Sequence, residues 1–203
     1  MPAKNLFREV KMEGKTDLPP GQRAIKKMLL RHIGTIPKFD PETWNLRISG
    51  LVEAPQTLTW NEVLKLPKVT CTSDFHCVEG WSVLDNKWEG TPFKEIVKMA
   101  KPKKEARYAM FECDDGYATS LPLADLLGDE ILLAYKLDNE ELKPENGGPL
   151  RLVVPQKYAY KSAMWLRRIE FTSEKTPGYW EKRGYSDTAN PWKEDRYEKT
   201  PQS

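Results

Sequence analysis

The sequence predicts an α+β domain built on mixed sheets with few and short helices. Segments of strand period or continuous apolar character recur at 44–48, 68–74, 107–113, 131–135, 150–154 and 165–171. The helical signals between them are brief and follow no regular strand–helix–strand rhythm. Proline is abundant, at 16 residues, and marks many of the joints.

The elements follow in order. Residues 1–20 are polar, end in Leu18-Pro19-Pro20-Gly21 and read as an N-terminal arm. Residues 22–31 place Ile25, Met28, Leu29 and Leu30 against Arg23, Lys26 and Lys27, which suggests one short helix. Trp44-Asn45-Leu46-Arg47-Ile48 alternates as a strand does, and Gly50 and Pro55 close it. Thr59 with Glu62 has the form of a capping box, and Pro67 ends the helix it would start. A strand over 68–74 then delivers a loop carrying Cys77.

Thr91-Pro92 offers an N-cap hydroxyl and a first-turn proline to a helix with Phe93, Ile96, Val97 and Ala100 on one face. Lys101-Pro102 stops it. A strand over 107–113 meets the turn Asp114-Asp115-Gly116. A short helix ends near Leu127 with Gly128 as its C-cap. Two strands flank Asp138-Asn139, and two further strands cover 150–154 and 165–171. The domain therefore spans 21–174, and residues 175–203 form a tail whose aromatics pin it across the domain.

Composition narrows the function classes. A chain of 203 residues with 39% hydrophobic and 31% charged content supports one core. A net charge of +2 provides no global pull toward nucleic acid or an anionic membrane. No apolar run reaches the length, about 18 residues, that would span a bilayer. The first residues lack the apolar stretch and small-residue site of a signal peptide, so a cytoplasmic protein is expected. Cys71, Cys77 and Cys113 cannot all pair and match no CxxC motif, which fits a reducing compartment.

The chemistry concentrates in Thr72-Ser73-Asp74-Phe75-His76-Cys77-Val78-Glu79-Gly80-Trp81-Ser82. A thiol beside an imidazole can be a nucleophile, a metal ligand or a buried small hydrophobe. A second run, Asn146-Gly147-Gly148-Pro149-Leu150-Arg151-Leu152-Val153-Val154-Pro155, continues to Lys157-Tyr158 and Lys161-Ser162. Together, in this order and separation, the two runs resemble the sulfite oxidase family of molybdopterin-dependent oxidoreductases. The likeness is closest to the branch of the bacterial protein-methionine-sulfoxide reductase catalytic subunit and single-domain sulfite-oxidase-like proteins, and it covers roughly Leu18 to Trp192.

The resemblance implies a fold, a cofactor and residue roles. The fold is the family's mixed-sheet molybdopterin-binding domain. Cys77 would be the protein's sulfur on molybdenum, a soft thiolate for a high-valent metal. Cys71 lies in the preceding strand as a structural thiol. Asn146, Arg151 and the backbone of Lys161-Ser162-Ala163-Met164 would clasp the pterin and its phosphate, with Arg31 and His32 closing from the other side. Cys113 falls where the methionine-sulfoxide reductases carry a threonine near the cofactor. Tyr117, in the pattern Tyr-x-x-Ser-x-Pro, aligns with the family's active-site tyrosine, and Arg31 would supply positive charge to an oxyanion substrate.

The implied reaction is two-electron oxygen-atom transfer on a small sulfur- or nitrogen-containing compound or its oxide. The chain has no haem segment and no family dimerisation domain, so a separate electron-transfer partner and a monomer are expected. Val-Glu-Gly-Trp-Ser after Cys77 replaces the basic run of true sulfite oxidases, which argues against sulfite. Two other readings stay open. Cys77 could serve a metal-free thiol enzyme with His76 or His32, or the fold could be a binding module without catalysis.

Overall fold

The computed structural model describes residues 8–11 and 18–198. In chain order the first strands are β1 (Arg8–Lys11), β2 (Arg23–Ala24), β3 (Asn45–Gly50), β4 (Gln56–Thr59), β5 (Val69–Cys77) and β6 (Trp81–Pro92). They are followed by β7 (Tyr108–Cys113), β8 (Ala118–Pro122), β9 (Leu132–Leu137), β10 (Glu140–Glu141), β11 (Arg151–Val153) and β12 (Leu166–Thr172). Two short α-helices, α1 (Trp60–Val63) and α2 (Phe93–Ala100), and several 3₁₀ turns complete the described chain.

The strands form two sheets. The seven-stranded sheet runs β1-β5-β6-β9-β10, with β11 paired to β9 and β2 to β6. The five-stranded sheet runs β4-β3-β12-β7-β8. Parallel pairs (β1–β5, β2–β6, β3–β12) mix with antiparallel ones, as the predicted mixed-sheet class requires.

The apolar runs explain where the core sits. Leu132 and Ala134 on β9 and Val153 on β11 pack with Phe75 and Trp88 in one cluster. Their neighbours Leu133 and Leu152 pack instead with Phe93, Ile96, Phe111 and Phe171 in the other. Successive side chains on a strand face opposite ways, so a strand covered on both faces must be apolar at every position. That is why 131–135 reads as an unbroken hydrophobic run and 150–154 as one cut only by Arg151.

Three sequence expectations are corrected. Residues 22–31 are not a helix: β2 lies along β6, and the Ile25 amide donates to the Ser82 carbonyl at 2.8 Å. A ten-residue segment with no capping side chain gains little from helix nucleation, whereas sheet pairing satisfies its backbone. The twelve-residue strand β6 was not anticipated, because its middle, Asp85-Asn86-Lys87, is polar. Asp85 takes a left-handed φ of 53° beside an irregularity in the β5–β6 pairing. Thr91 does not cap α2. It is paired with Leu133 in the sheet, and the N-cap is Pro92, which makes no side-chain cap bond.

The short helix before Gly128 is a single 3₁₀ turn, Leu123–Leu126, whose C-cap is Leu127 rather than Gly128. Other local expectations hold. Thr59 and Glu62 form the reciprocal capping box of α1. The tail lies against the domain: Tyr179 N donates to Ala118 O at 2.8 Å and Tyr158 N donates to Ala189 O at 2.7 Å. Within the N-terminal arm, β1 pairs with β5, while residues 1–7 and 12–17 lie outside the described residues, as do 199–203 of the tail.

Candidate active site

Contrary to expectation, Cys77 is not on a loop after a strand ending at 74: pairing with β6 carries β5 on to Cys77, its last residue, at the edge of a cavity of about 280 Å³. That volume is close to the lower end of small-molecule sites, about 300 Å³. The backbone at Cys77 and Val78 is held by three hydrogen bonds. Gly80 N donates to Cys77 O at 3.0 Å, closing a turn that needs the left-handed φ of 92° at Gly80. Gln22 Nε2 donates to the same carbonyl at 3.0 Å, and Arg196 Nη1 donates to Val78 O. The thiol is buried, and burial pushes its pKa up to about 11.

His76 and Cys77 point to opposite sides, as neighbours on a strand do. Among the described residues His76 does not line the cavity. Its Nδ1 is 2.8 Å from Ser82 Oγ and its ring packs edge-on to Trp192. Burial lowers its pKa.

Arg151, the first residue of β11, forms the cavity floor. It is 2% exposed, a figure normally reached by a cation only when it is ion-paired. Here Nη1 donates to Asn146 O at 2.7 Å and Nη2 to Ser162 O at 3.1 Å, with the guanidinium 4.9 Å from the Phe75 ring centre and 5.4 Å from that of Trp88. No ion pair to a carboxylate is formed by Arg151 among the described residues. Burial lowers its pKa to about 9, which still leaves it charged at neutral pH. The cavity that Cys77 lines thus also holds a buried cation with no carboxylate partner among the described residues.

The rim differs. Arg31 Nε lies 2.8 Å from both carboxylate oxygens of Glu79, and Trp81 Nε1 donates to Glu79 Oε2 at 3.3 Å. The Arg31 side chain is 56% exposed. His32, Asn146, Ser162 and Met164 also line the cavity. Gly147, in a left-handed turn with φ 92°, lets Met164 come close: a Cβ there would sit 2.7 Å from Met164 Cγ.

A family model described as "Oxidoreductase molybdopterin binding domain" matches residues 33–180. The chain belongs to that family. This molybdopterin-dependent oxidoreductase is 42% identical over 181 residues to the "Uncharacterized oxidoreductase YuiH" of Bacillus subtilis, covering 89% of this chain and 91% of that one. It is 34% identical over 160 residues to the "Protein-methionine-sulfoxide reductase catalytic subunit MsrP" of Campylobacter jejuni, covering 70% of this chain and 54% of that protein. The chain therefore spans about half of the latter's length. Its fold matches the sulfane dehydrogenase SoxCD of Paracoccus pantotrophus with a TM-score of 0.67 at 24% identity, over 72% of this chain and 42% of that one. The molybdenum–molybdopterin cofactor follows from the family.

The residues of this oxidoreductase fit such a group. A soft sulfur donor and a buried cation without an acid face one cavity, as a thiolate-bound metal on an anionic pterin needs. Among the described residues no group of three His, Cys, Asp or Glu is gathered to hold an ion without it.

Some expected residues lie elsewhere. The Lys161 side chain is fully buried but turned away from the cavity: Nζ donates to Ser120 O at 3.2 Å and pairs with Glu181 and, at 3.3 Å, with Asp187. Its contribution to a phosphate clasp is limited to backbone. Ala163 and Cys113 belong to the hydrophobic core and do not line the cavity. Cys71 is the buried structural thiol expected, in the second core cluster. Tyr117 does line the cavity, but its hydroxyl donates to the Tyr160 carbonyl rather than into the space. Burial, with Glu181 nearby, raises its pKa well above the usual phenol range.

Sequence reading missed several lining residues. Trp180 and Tyr185 come from the tail, and Glu79, Trp81 and Phe75 from the Cys77 segment. The clustering of aromatics at 179–185 was the available signal. Nothing local said that they fold back over the cavity.

Proposed function

We propose that Cys77 supplies the protein sulfur on molybdenum and that Arg151 holds the anionic end of the pterin, with Asn146, the Ser162–Met164 segment and His32 shaping the pocket around it. The observation that carries this reading is that Cys77 and a buried Arg151 with no carboxylate partner among the described residues line one cavity. When bound, the molybdenum–pterin group supplies a two-electron couple for oxygen-atom transfer. The net reaction is an oxide plus two electrons and two protons giving the reduced compound plus water, or its reverse. The oxide is a small sulfur- or nitrogen-containing molecule, and the electrons pass to or from a separate carrier.

The chain's own residues bind, orient and shield. Arg151 places positive charge under the cofactor without a competing carboxylate. The Tyr117 ring and the tail residues Trp180 and Tyr185 wall the cavity and exclude water. Gln22 and Arg196 hold two successive backbone carbonyls, those of Cys77 and Val78. The metal-free thiol reading loses His76, which faces Ser82 and Trp192, and keeps only His32, which lines the cavity with its Nδ1 2.6 Å from the Gly34 carbonyl. Among the described residues no helix is long and apolar enough to cross a membrane. A cytoplasmic setting is the reading that three unpaired cysteines support.

The test is molybdenum analysis on protein made in a host that synthesises the cofactor, alongside Cys77→Ser. Near-stoichiometric molybdenum in the wild type, with turnover of S- or N-oxides abolished in Cys77→Ser, is expected. Wild-type protein from that host with neither molybdenum nor pterin fluorescence after denaturation would overturn the reading.

A further inference from the structure

We propose that Glu79 is the charge-selecting residue of the cavity: by holding Arg31 it keeps the rim closed to oxyanions and open to uncharged oxides. The inference rests on the oxidoreductase reading above and names the class of substrate that reading admits.

The cavity is lined by two arginines and three carboxylates, Glu79, Asp115 and Glu145. Arg151 lies at the floor with its donors on the Asn146 and Ser162 carbonyls. Arg31 is therefore the cation an incoming substrate meets. Its Nε is already within 2.8 Å of both Glu79 oxygens. Trp81 Nε1 holds the same carboxylate at 3.3 Å, so Glu79 is oriented from two sides.

An oxyanion at this rim has to displace a charge-assisted pair, and then faces Glu79, Asp115 and Glu145 together. A neutral oxide meets neither cost. The wall beside the pair is apolar and aromatic, with Leu29, Ile33 and Trp180, which suits an uncharged molecule bearing an apolar substituent. Like-charge juxtaposition at a rim excludes wrong partners more than it strengthens right ones.

The experiment uses molybdenum-loaded protein as wild type, Glu79→Gln, and Glu79→Gln combined with Arg31→Gln. Sulfate binding is measured by titration calorimetry, and dimethyl sulfoxide turnover with a dye electron donor in parallel. Freeing Arg31 in Glu79→Gln is expected to tighten sulfate binding about tenfold, equivalent to about 1.4 kcal/mol. The double variant is expected to return to the wild-type value, with molybdenum content equal throughout. Sulfate binding within about twofold of wild type in Glu79→Gln, at equal molybdenum content, would overturn the proposal, since about tenfold is the effect claimed. Absence of molybdenum from all three would instead sink the underlying reading. The same sulfate comparison on cofactor-free protein would still decide the role of Glu79 when all three chains also carry Arg151→Met, which removes the second anion-binding cation of the cavity. Should Glu79→Gln fail to fold by circular dichroism, Glu79→Ala serves the same comparison.

Discussion

The floor and the rim of the cavity each carry an arginine, and the fold treats them in opposite ways. Arg151 is buried, bonded to carbonyls and given no acid among the described residues. Arg31 is exposed and given a carboxylate on both oxygens. A buried charge without a counter-charge is costly to the empty protein, and a bound anion offsets that cost. An exposed pair adds little stability in water, so its effect lies in what approaches it. Between them stands Lys161, buried like Arg151 but paired like Arg31, with Glu181 and Asp187. The three cations separate burial from pairing, and mutation can test each.

The largest effect is expected at Lys161. Lys161→Met leaves Glu181, 3% exposed at its side chain, without its cation, and should cost about 3–5 kcal/mol in chemical denaturation. A loss below about 1 kcal/mol would mean that the buried pair behaves as an exposed one.

Arg151→Met should split two readouts. Molybdenum and pterin content should fall about 10–100-fold, as for other residues that support a bound metal group. The cofactor-free protein should lose less stability than Lys161→Met does, since no carboxylate is stranded. Equal cofactor loss in Arg31→Gln would erase the contrast between floor and rim.

A smaller effect is expected with pH. Burial raises the Asp187 carboxyl, but Lys161 and Lys175 outweigh it and hold its pKa below the ordinary value. A carboxylate depressed on folding stabilises the protein above its unfolded pKa, about 3.9, and that contribution is lost as pH falls through the lower folded value. Denaturation midpoints of wild type should therefore fall more steeply on acidification below about pH 4 than those of Asp187→Asn. Parallel curves would remove Asp187 from the tail's anchorage.

The smallest effect is expected at the rim. Glu79→Gln and Arg31→Gln should each change folding stability by less than about 1 kcal/mol, because the pair is exposed and screened. A larger loss in thermal or chemical denaturation would make the pair a structural element rather than a selector.

Much of this was legible along the chain. The capping box at Thr59, the apolar runs 131–135 and 150–154 (the latter cut only by Arg151), and the strands β3, β7 and β12 follow from local period and turn chemistry. The Cys77 and Arg151 runs stood out through their resemblance to a known family, since alone a thiol beside an imidazole is equally a buried small hydrophobe. The polar middle of β6 and the strand β2 were not legible, since their partners are distant and their pairing is made by backbone that carries no sequence signal. The same holds for the turning away of the Lys161 side chain, which needed Glu181 and Asp187 from the tail.

By itself, then, the sequence determined the mixed-sheet class, the thiol at position 77 and the cation at 151, through patterns that act within a few residues. Only the tertiary structure decided that Arg151 has no acid partner among the described residues, that Arg31 has Glu79, and that Trp180 and Tyr185 line the same cavity. The physical reason is that a charge is defined by its surroundings. Whether an arginine serves a cofactor, repels an anion or only solvates a surface depends on which groups 48 residues away in one case (Arg31 and Glu79), and 11 in another (Arg151 and Ser162), fold against it.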